Sequence, residues 1–208
     1  MYFSPPKTLI IFPSYVIGTI FIIICFLGII AGIFPSKCST IAQMRKKEVE
    51  NNSSDYKGHH PNCVKYDAHR IKFGENYLCA GCTGLTIGGI LAILGSIVYF
   101  YSGVVFIYAE ISFNLGLVLV ILGLIQHKID FDNPILHVML NIGFVIGSFL
   151  LLASLDYLFT NNLYGLYLLG MIIFWINTRI KLSQYDHYLT CKSCDDSCNL
   201  SVKEQHLQ

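Results

Sequence analysis

Residues 133–155 read NPILHVMLNIGFVIGSFLLLASL, a run with no charged side chain between Asp132 and Asp156. A helix that crosses a bilayer needs about 20 mainly apolar residues, because the hydrocarbon core is about 30 Å thick and each helical residue rises about 1.5 Å. The run meets that length. Four further charge-free stretches lie between Lys7 and Lys37, Glu75 and Glu110, Glu110 and Lys128, and Asp156 and Arg179, the one after Glu110 qualifying narrowly. These stretches predict helices at residues 9–34, 80–101, 111–126, 135–157 and 163–180. Apolar residues occur all round them with no polar stripe, which excludes helices lying on the membrane surface. The expected fold is all-α, an integral membrane bundle of about five transmembrane helices with a small Cys/His-rich cytoplasmic loop and tail. Its parts are a first helix (residues 1–34), a loop (35–79), a four-helix region (80–180) and a tail (181–208).

Composition agrees with a lipid environment: only 13% of the 208 residues are charged, against about a quarter in soluble domains. A formal net charge of +1 gives no global field for nucleic acid, and nucleic acid is not an expected partner. The bilayer is the expected partner, and a homo-oligomer is compatible with these residues. The first apolar run is too long for a secretory signal, whose apolar region spans about 7 to 15 residues. It ends in Gly32-Ile33-Phe34-Pro35, without a small-residue cleavage site, so an uncleaved helix is expected. Gly28/Gly32, Gly84/Gly88 and Gly143/Gly147 form small-xxx-small pairs, which permit close helix contact in lipid. Short connections at residues 102–110 and 159–162 make antiparallel neighbours.

With five spans, residues 35–78, the turn at 126–134 and the tail after Ile180 share one face. Of the 14 Lys and Arg residues, Lys7 alone falls on the other. Lys37, Arg45, Lys46, Lys47, Lys65, Arg70, Lys72, Lys128, Arg179, Lys181 and Lys192 lie near helix ends, where the positive-inside rule counts them. A cell-membrane protein with its N-terminus outside and its loop and tail in the cytoplasm is expected. Within the loop, residues 39–50 could form a short basic surface helix, and residues 51–58 are polar and turn-rich.

The chain holds 8 cysteines, and in the cytoplasm these read as metal ligands or catalytic thiols rather than disulfides. His60-x2-Cys63 and Cys79-x2-Cys82 are two close pairs separated by residues 64–78. Two intervening residues let a tight turn aim both side chains at one tetrahedral centre, and the longer loop brings the second pair round, as in zinc sites. The expected ligands are Cys63, Cys79 and Cys82, with His60 or His69 as the fourth and His59 as a competitor. The tail adds His187, Cys191, Cys194 and Cys198, a set able to close a second site or complete the first, with Asp195 and Asp196 beside it. Zinc is the expected cofactor. Cys191-x2-Cys194-x3-Cys198 also follows part of an iron–sulfur spacing, but no fourth cysteine stands at the expected offset.

Each of these residues has a plainer reading as a free thiol, a solvated histidine or a tail cysteine with no role. Cys79 and Cys82 could also be a redox pair, since a helix N-terminus favours the thiolate, although no strand-helix-strand pattern surrounds them. Cys25 reads as a packing residue, and Cys38 lies at the mouth of the first helix. Glu110 and Asp156 map near the outer face, where burial costs fade. His127, His137 and Asn141 sit toward the inner end and suit interhelical hydrogen bonds, an inward extension of the metal site or a proton relay.

Cys63, His69-Arg70-Ile71-Lys72-Phe73-Gly74 and Cys79-Ala80-Gly81-Cys82-Thr83-Gly84 resemble a family of prokaryotic multi-pass membrane proteins of unassigned activity. That family carries a Cys-Ala-Arg-Cys-Thr-Gly signature after a Cys/His segment. Gly81 stands here in place of the signature Arg, and the likeness covers about a tenth of the chain. It implies a membrane protein with a characteristic Cys motif. Three function classes follow from the residues. The first is a metal-stabilised membrane scaffold or regulator, since closed four-ligand sites are usually structural. The second is a membrane enzyme, either a metal hydrolase or a thiol oxidoreductase, although no HExxH or nucleophile-elbow pattern occurs. The third is a transporter of metal or small solutes, which would need polar groups lining the bundle.

Overall fold

The computed structural model describes residues 13–33, 70–73, 76–103, 108–126, 133–159 and 163–192. Five helices account for nearly all of them: α1 (Ser14–Ile33), α2 (Ala80–Ser102), α3 (Ala109–Ile125), α4 (Pro134–Leu158) and α5 (Leu163–Lys192). A hairpin of β1 (Arg70–Phe73) and β2 (Asn76–Cys79) precedes α2. The all-α bundle expected from the apolar runs is what forms. The expected surface helix at residues 39–50 and the turn-rich residues 51–58 lie outside the described residues.

Local chemistry sets several boundaries. α4 opens at Asn133-Pro134: the Asn133 side chain accepts from the Ile135 backbone N–H at 2.9 Å, and proline at the first helical position loses only an N–H that would be orphaned anyway. α2 closes at Gly103, whose φ of 68° lies in the left-handed region, where the lack of a Cβ removes the steric cost. α5 runs further than the apolar pattern predicts. The expected end near Ile180 is corrected to Lys192, because no Gly or Pro follows Gly170 within the helix to stop it. Residues 181–192 of the expected tail are therefore helical, while the part apolar enough to cross a membrane is Leu163–Leu182.

Close glycine contacts give the helix directions. Gly18, early in α1, sits against Phe100 late in α2, and Gly32, late in α1, sits against Cys82 and Thr86 early in α2, so this pair is antiparallel. Gly84 meets Val138 and Asn141, Gly88 meets Ile142 and Val145, and Gly95 meets Phe149, so α2 and α4 are parallel. Gly116 meets Gly147 and Gly123 meets Phe144, so α3 and α4 are antiparallel. Gly165 at the start of α5 abuts Ile17 near the start of α1. Thus α1, α3 and α5 run one way and α2 and α4 the other. Two of the three small-xxx-small pairs work as expected. In Gly28/Gly32 only Gly32 is used, since a Cβ on Gly28 would meet nothing within 4 Å.

Ile17, Phe21, Ala92, Phe144, Leu152, Leu169 and Ile172 form the centre of the core, with the Phe21 and Phe149 rings 6.4 Å apart. Large apolar side chains also cover the outside, among them Phe26, Leu27, Leu94, Val118 and Phe174. Apolar surface on this scale fits contact with a lipid bilayer. Four helices, all but α3, are long and apolar enough to span one, which fits a multi-pass membrane protein. The 17 residues of α3 reach about 25 Å at 1.5 Å per residue, just short of the hydrocarbon thickness.

Candidate metal centre at the cysteine end of the bundle

The alternating helix directions bring the end of α1, the start of α2, the end of α3 and the start of α4 to one end of the bundle. The hairpin feeds this end. Its register pairs Arg70 with Cys79, Ile71 with Leu78, Lys72 with Tyr77 and Phe73 with Asn76, and its β-branched and aromatic residues suit paired strands. Cys79 is the last residue of β2 and also the N-cap of α2, with extended dihedrals of φ −67° and ψ 122°. Cys82 follows in the first helical turn. Three residues apart at a helix start, the two thiols stand on one side of a strand-to-helix junction.

The backbone of that junction is tied down. Thr83 Oγ1 donates to the Cys79 carbonyl at 2.9 Å, and Thr86 Oγ1 donates to the Cys82 carbonyl at 2.9 Å. Gly84 presses on α4 so closely that a Cβ would lie 2.6 Å from the Val138 carbonyl oxygen. Gly32 brings the end of α1 against the Cys82 carbonyl. Both cysteines are partly exposed thiols outside any disulfide.

Behind the thiols lies a polar layer. Gln126 and Asn141 are each 2% exposed and His137 is 7% exposed. Gln126 Nε2 donates to Asn141 Oδ1 at 3.2 Å and to the Gly123 carbonyl at 2.8 Å. Asn141 Nδ2 donates to the His137 carbonyl. The interhelical hydrogen bond expected of Asn141 is thus present, joining α3 to α4. Asn141 also faces the cysteine turn, since a Cβ on Gly81 would lie 3.8 Å from its Nδ2 and 3.9 Å from Cys79 Sγ.

Arg179 completes the layer. It was expected among the basic residues at a helix end, but it is 7% exposed inside α5. Its guanidinium carbon lies 5.3 Å from the centroid of the Phe144 ring, within electrostatic reach of Cys82 and Cys79. Nε and Nη1 have no hydrogen-bond partner among the described residues. Reasoning from sequence missed this role and that of Gln126. The available signal was the apolar pattern continuing through Ile180 and Leu182, which makes Arg179 a mid-helix residue.

Of the expected ligands, Cys79 and Cys82 are brought together. His187 and Cys191 lie one turn apart in the last part of α5, while His59, His60, Cys63, His69, Cys194 and Cys198 lie outside the described residues, as do Cys38 and His127. Among the described residues no group of three or more His, Cys, Asp or Glu side chains gathers to hold a metal. Elsewhere, Cys25 is buried in the core as a packing residue. Glu110 is exposed in the first turn of α3, and Asp156 accepts from the Tyr99 hydroxyl at 3.2 Å. Comparison with family models, with curated proteins and with solved structures finds no match for this chain.

Proposed function

We propose that this is a multi-pass membrane protein carrying a structural Cys/His metal site at the cysteine end of its bundle, with zinc as the ion. The placement of Cys79 and Cys82 at a rigid strand-to-helix junction carries the reading. Two sulfur donors from a fixed turn supply half of a tetrahedral shell, and thiolate with imidazole suits zinc. Cys63 with His60 or His69 would supply the remaining half. His187, Cys191, Cys194 and Cys198 would form a second site or complete the first. A closed site would staple the loop to the bundle, giving a scaffold or regulatory element. The excess of Lys and Arg in the connections on this face supports a cytoplasmic location.

Metal analysis of the purified chain tests the reading. About one zinc per chain is expected for each four-ligand site, with the site at the junction emptied by Cys79→Ser with Cys82→Ser. A folded chain that binds no zinc, or one whose zinc content ignores both substitutions, overturns the proposal.

One observation favours a second reading, a membrane thiol oxidoreductase. A helix N-terminus and a nearby guanidinium both stabilise thiolate, the reactive form of cysteine. Rapid alkylation of Cys79 or Cys82 in the metal-replete protein at neutral pH, with reversible disulfide formation between them, would support this reading over the first.

A further inference from the structure

Arg179 poses a problem of charge. A guanidinium at membrane depth is costly, and long basic side chains normally relieve the cost by reaching back to the interface. Arg179 does not, since it is 7% exposed and its Nε and Nη1 lack hydrogen-bond partners among the described residues. Over the Phe144 ring it comes within electrostatic reach of Cys82 and Cys79, so its charge faces the first turn of α2. That turn is itself electropositive, because the first N–H groups of a helix have no intrahelical acceptor and the peptide dipoles add there. The Cys79 side chain makes no capping hydrogen bond to it, whereas Asn133 caps α4. Glu110 and Asp156 stand at the opposite end of the bundle. Asp186 follows Arg179 by seven residues, about 10 Å along the helix.

Gly81, within that first turn, marks where an anion can approach. A glycine costs a helix about 1 kcal/mol against alanine, and packing does not call for one here. A Cβ would meet only Asn141 Nδ2 at 3.8 Å and Cys79 Sγ at 3.9 Å, ordinary contact distances, unlike the 2.6 Å at Gly84. The missing Cβ lets a ligand come close to the backbone N–H groups. Gly81 and Cys82 are partly exposed, so the turn can be reached from outside the bundle while Arg179 backs it from within.

We infer that the first turn of α2 and Arg179 together bind a phosphate group, with the backbone N–H groups at Gly81 and Cys82 and the guanidinium as donors. A helix N-terminus and an arginine fork both match oxyanions. Arg179 stands three residues before the end of the apolar span at Leu182, the depth at which phospholipid headgroups begin, and basic sites between membrane helices take such headgroups. The same donors suit a soluble phosphate. The inference goes beyond the metal reading and needs neither thiol as a ligand.

The test uses the full chain in an uncharged, phosphate-free detergent. Binding is read by the fluorescence of Trp175, the one tryptophan, a turn before Arg179, and by the unfolding temperature. Inorganic phosphate is titrated alone, and phosphatidic acid is titrated in mixed micelles against diacylglycerol, which lacks the phosphate. A saturable response to inorganic phosphate supports the inference with a soluble ligand, and one to phosphatidic acid alone supports it with a lipid. Arg179→Gln should weaken binding about 10- to 100-fold, as for loss of charge-assisted hydrogen bonds. Arg179→Lys, which keeps the charge but not the fork, should recover part of the loss. Gly81→Ala should weaken binding several-fold while leaving the unfolding temperature without phosphate unchanged or raised, a split that a purely structural glycine would not give. Bound phosphate should raise the unfolding temperature of the wild type and not of Arg179→Gln. No response to either phosphate probe beyond that to diacylglycerol, or wild-type affinity in Arg179→Gln or in Gly81→Ala, overturns the inference.

Discussion

The two ends of the bundle carry different kinds of polar group. At the end away from the cysteines, hydroxyls sit at the rim: Thr19 Oγ1 and the Tyr101 hydroxyl are 2.7 Å apart, and Tyr15, Tyr108, Tyr157, Tyr164 and Tyr167 are exposed. Tyrosines at that level suit a membrane–water interface, where the ring is apolar and the hydroxyl stays wet. At the cysteine end, Gln126, His137, Asn141 and Arg179 are drawn into the packed interior. The rim arrangement anchors a bundle, and behind it Ser96 and Ser154 are buried while Asp156 accepts from Tyr99. The second arrangement places amides and a cation where water has little access, and Gln126 Oε1 and Arg179 Nε and Nη1 are left without a hydrogen-bond partner among the described residues, a costly arrangement. Chemistry specific to this protein is therefore to be sought at the cysteine end.

The sharpest break in that contrast would come from the glycine that seats the cysteine turn. A Cβ on Gly84 would lie 2.6 Å from both the Val138 carbonyl oxygen and Asn141 Cβ, and backbone cannot step aside as a flexible side chain can. Gly84→Leu should force α2 off α4 and cost about 1–3 kcal/mol or more, seen as a lowered unfolding temperature in detergent. Gly28→Ala serves as the control in open space and should be neutral or slightly stabilising. Equal effects from the two substitutions would mean that α2 and α4 do not pack as described.

A smaller effect is expected from the polar layer itself. Asn141→Leu removes the acceptor for Gln126 Nε2, whose residue already has an unpartnered Oε1. Interhelical hydrogen bonds in membrane proteins contribute about 0.6 kcal/mol on average and up to about 1.7, so a loss near the upper figure is expected from this buried pair. Chemical denaturation in mixed micelles checks it, with Gln126→Leu in a double-mutant cycle. Additive losses would show that the two side chains do not act together.

The contrast between the ends also explains what the sequence disclosed. Apolar length and charge-free boundaries placed α2, α3 and α4 within about two residues, because lipid leaves a spanning backbone no alternative to internal hydrogen bonding. The closeness of Cys79 and Cys82 was legible because a two-residue spacer at a helix start leaves both thiols on one side of the turn. Arg179 was not legible. A basic residue near the end of an apolar run has the same local sequence whether it snorkels outward or is buried against Phe144, and only the packing of α5 on α4 decides. Gln126 was hidden likewise: it reads as a helix terminus, and its burial depends on how α3 docks beside Asn141. The end of α5 at Lys192 was missed because leaving the bilayer ends hydrophobicity but not helix formation.

The smallest expected effect lies at the opposite rim. Tyr101→Phe deletes a hydroxyl 2.7 Å from Thr19 Oγ1, but Thr19 keeps its hydrogen bond to the Tyr15 carbonyl at 2.7 Å, and Tyr101 is 54% exposed. Water or headgroups can take the place of the lost partner, so the change should stay within about 0.5 kcal/mol, as for most exposed substitutions. Measured beside Asn141→Leu in the same micelles, it isolates burial as the variable, since each substitution removes one interhelical hydrogen bond. If Tyr101→Phe proved as costly as Asn141→Leu, the rim would be as dry as the interior and the asymmetry between the two ends would vanish. A gap of about 1 kcal/mol in the expected direction would show that the Gln126–Asn141 pair beside the cysteines is drier than the rim.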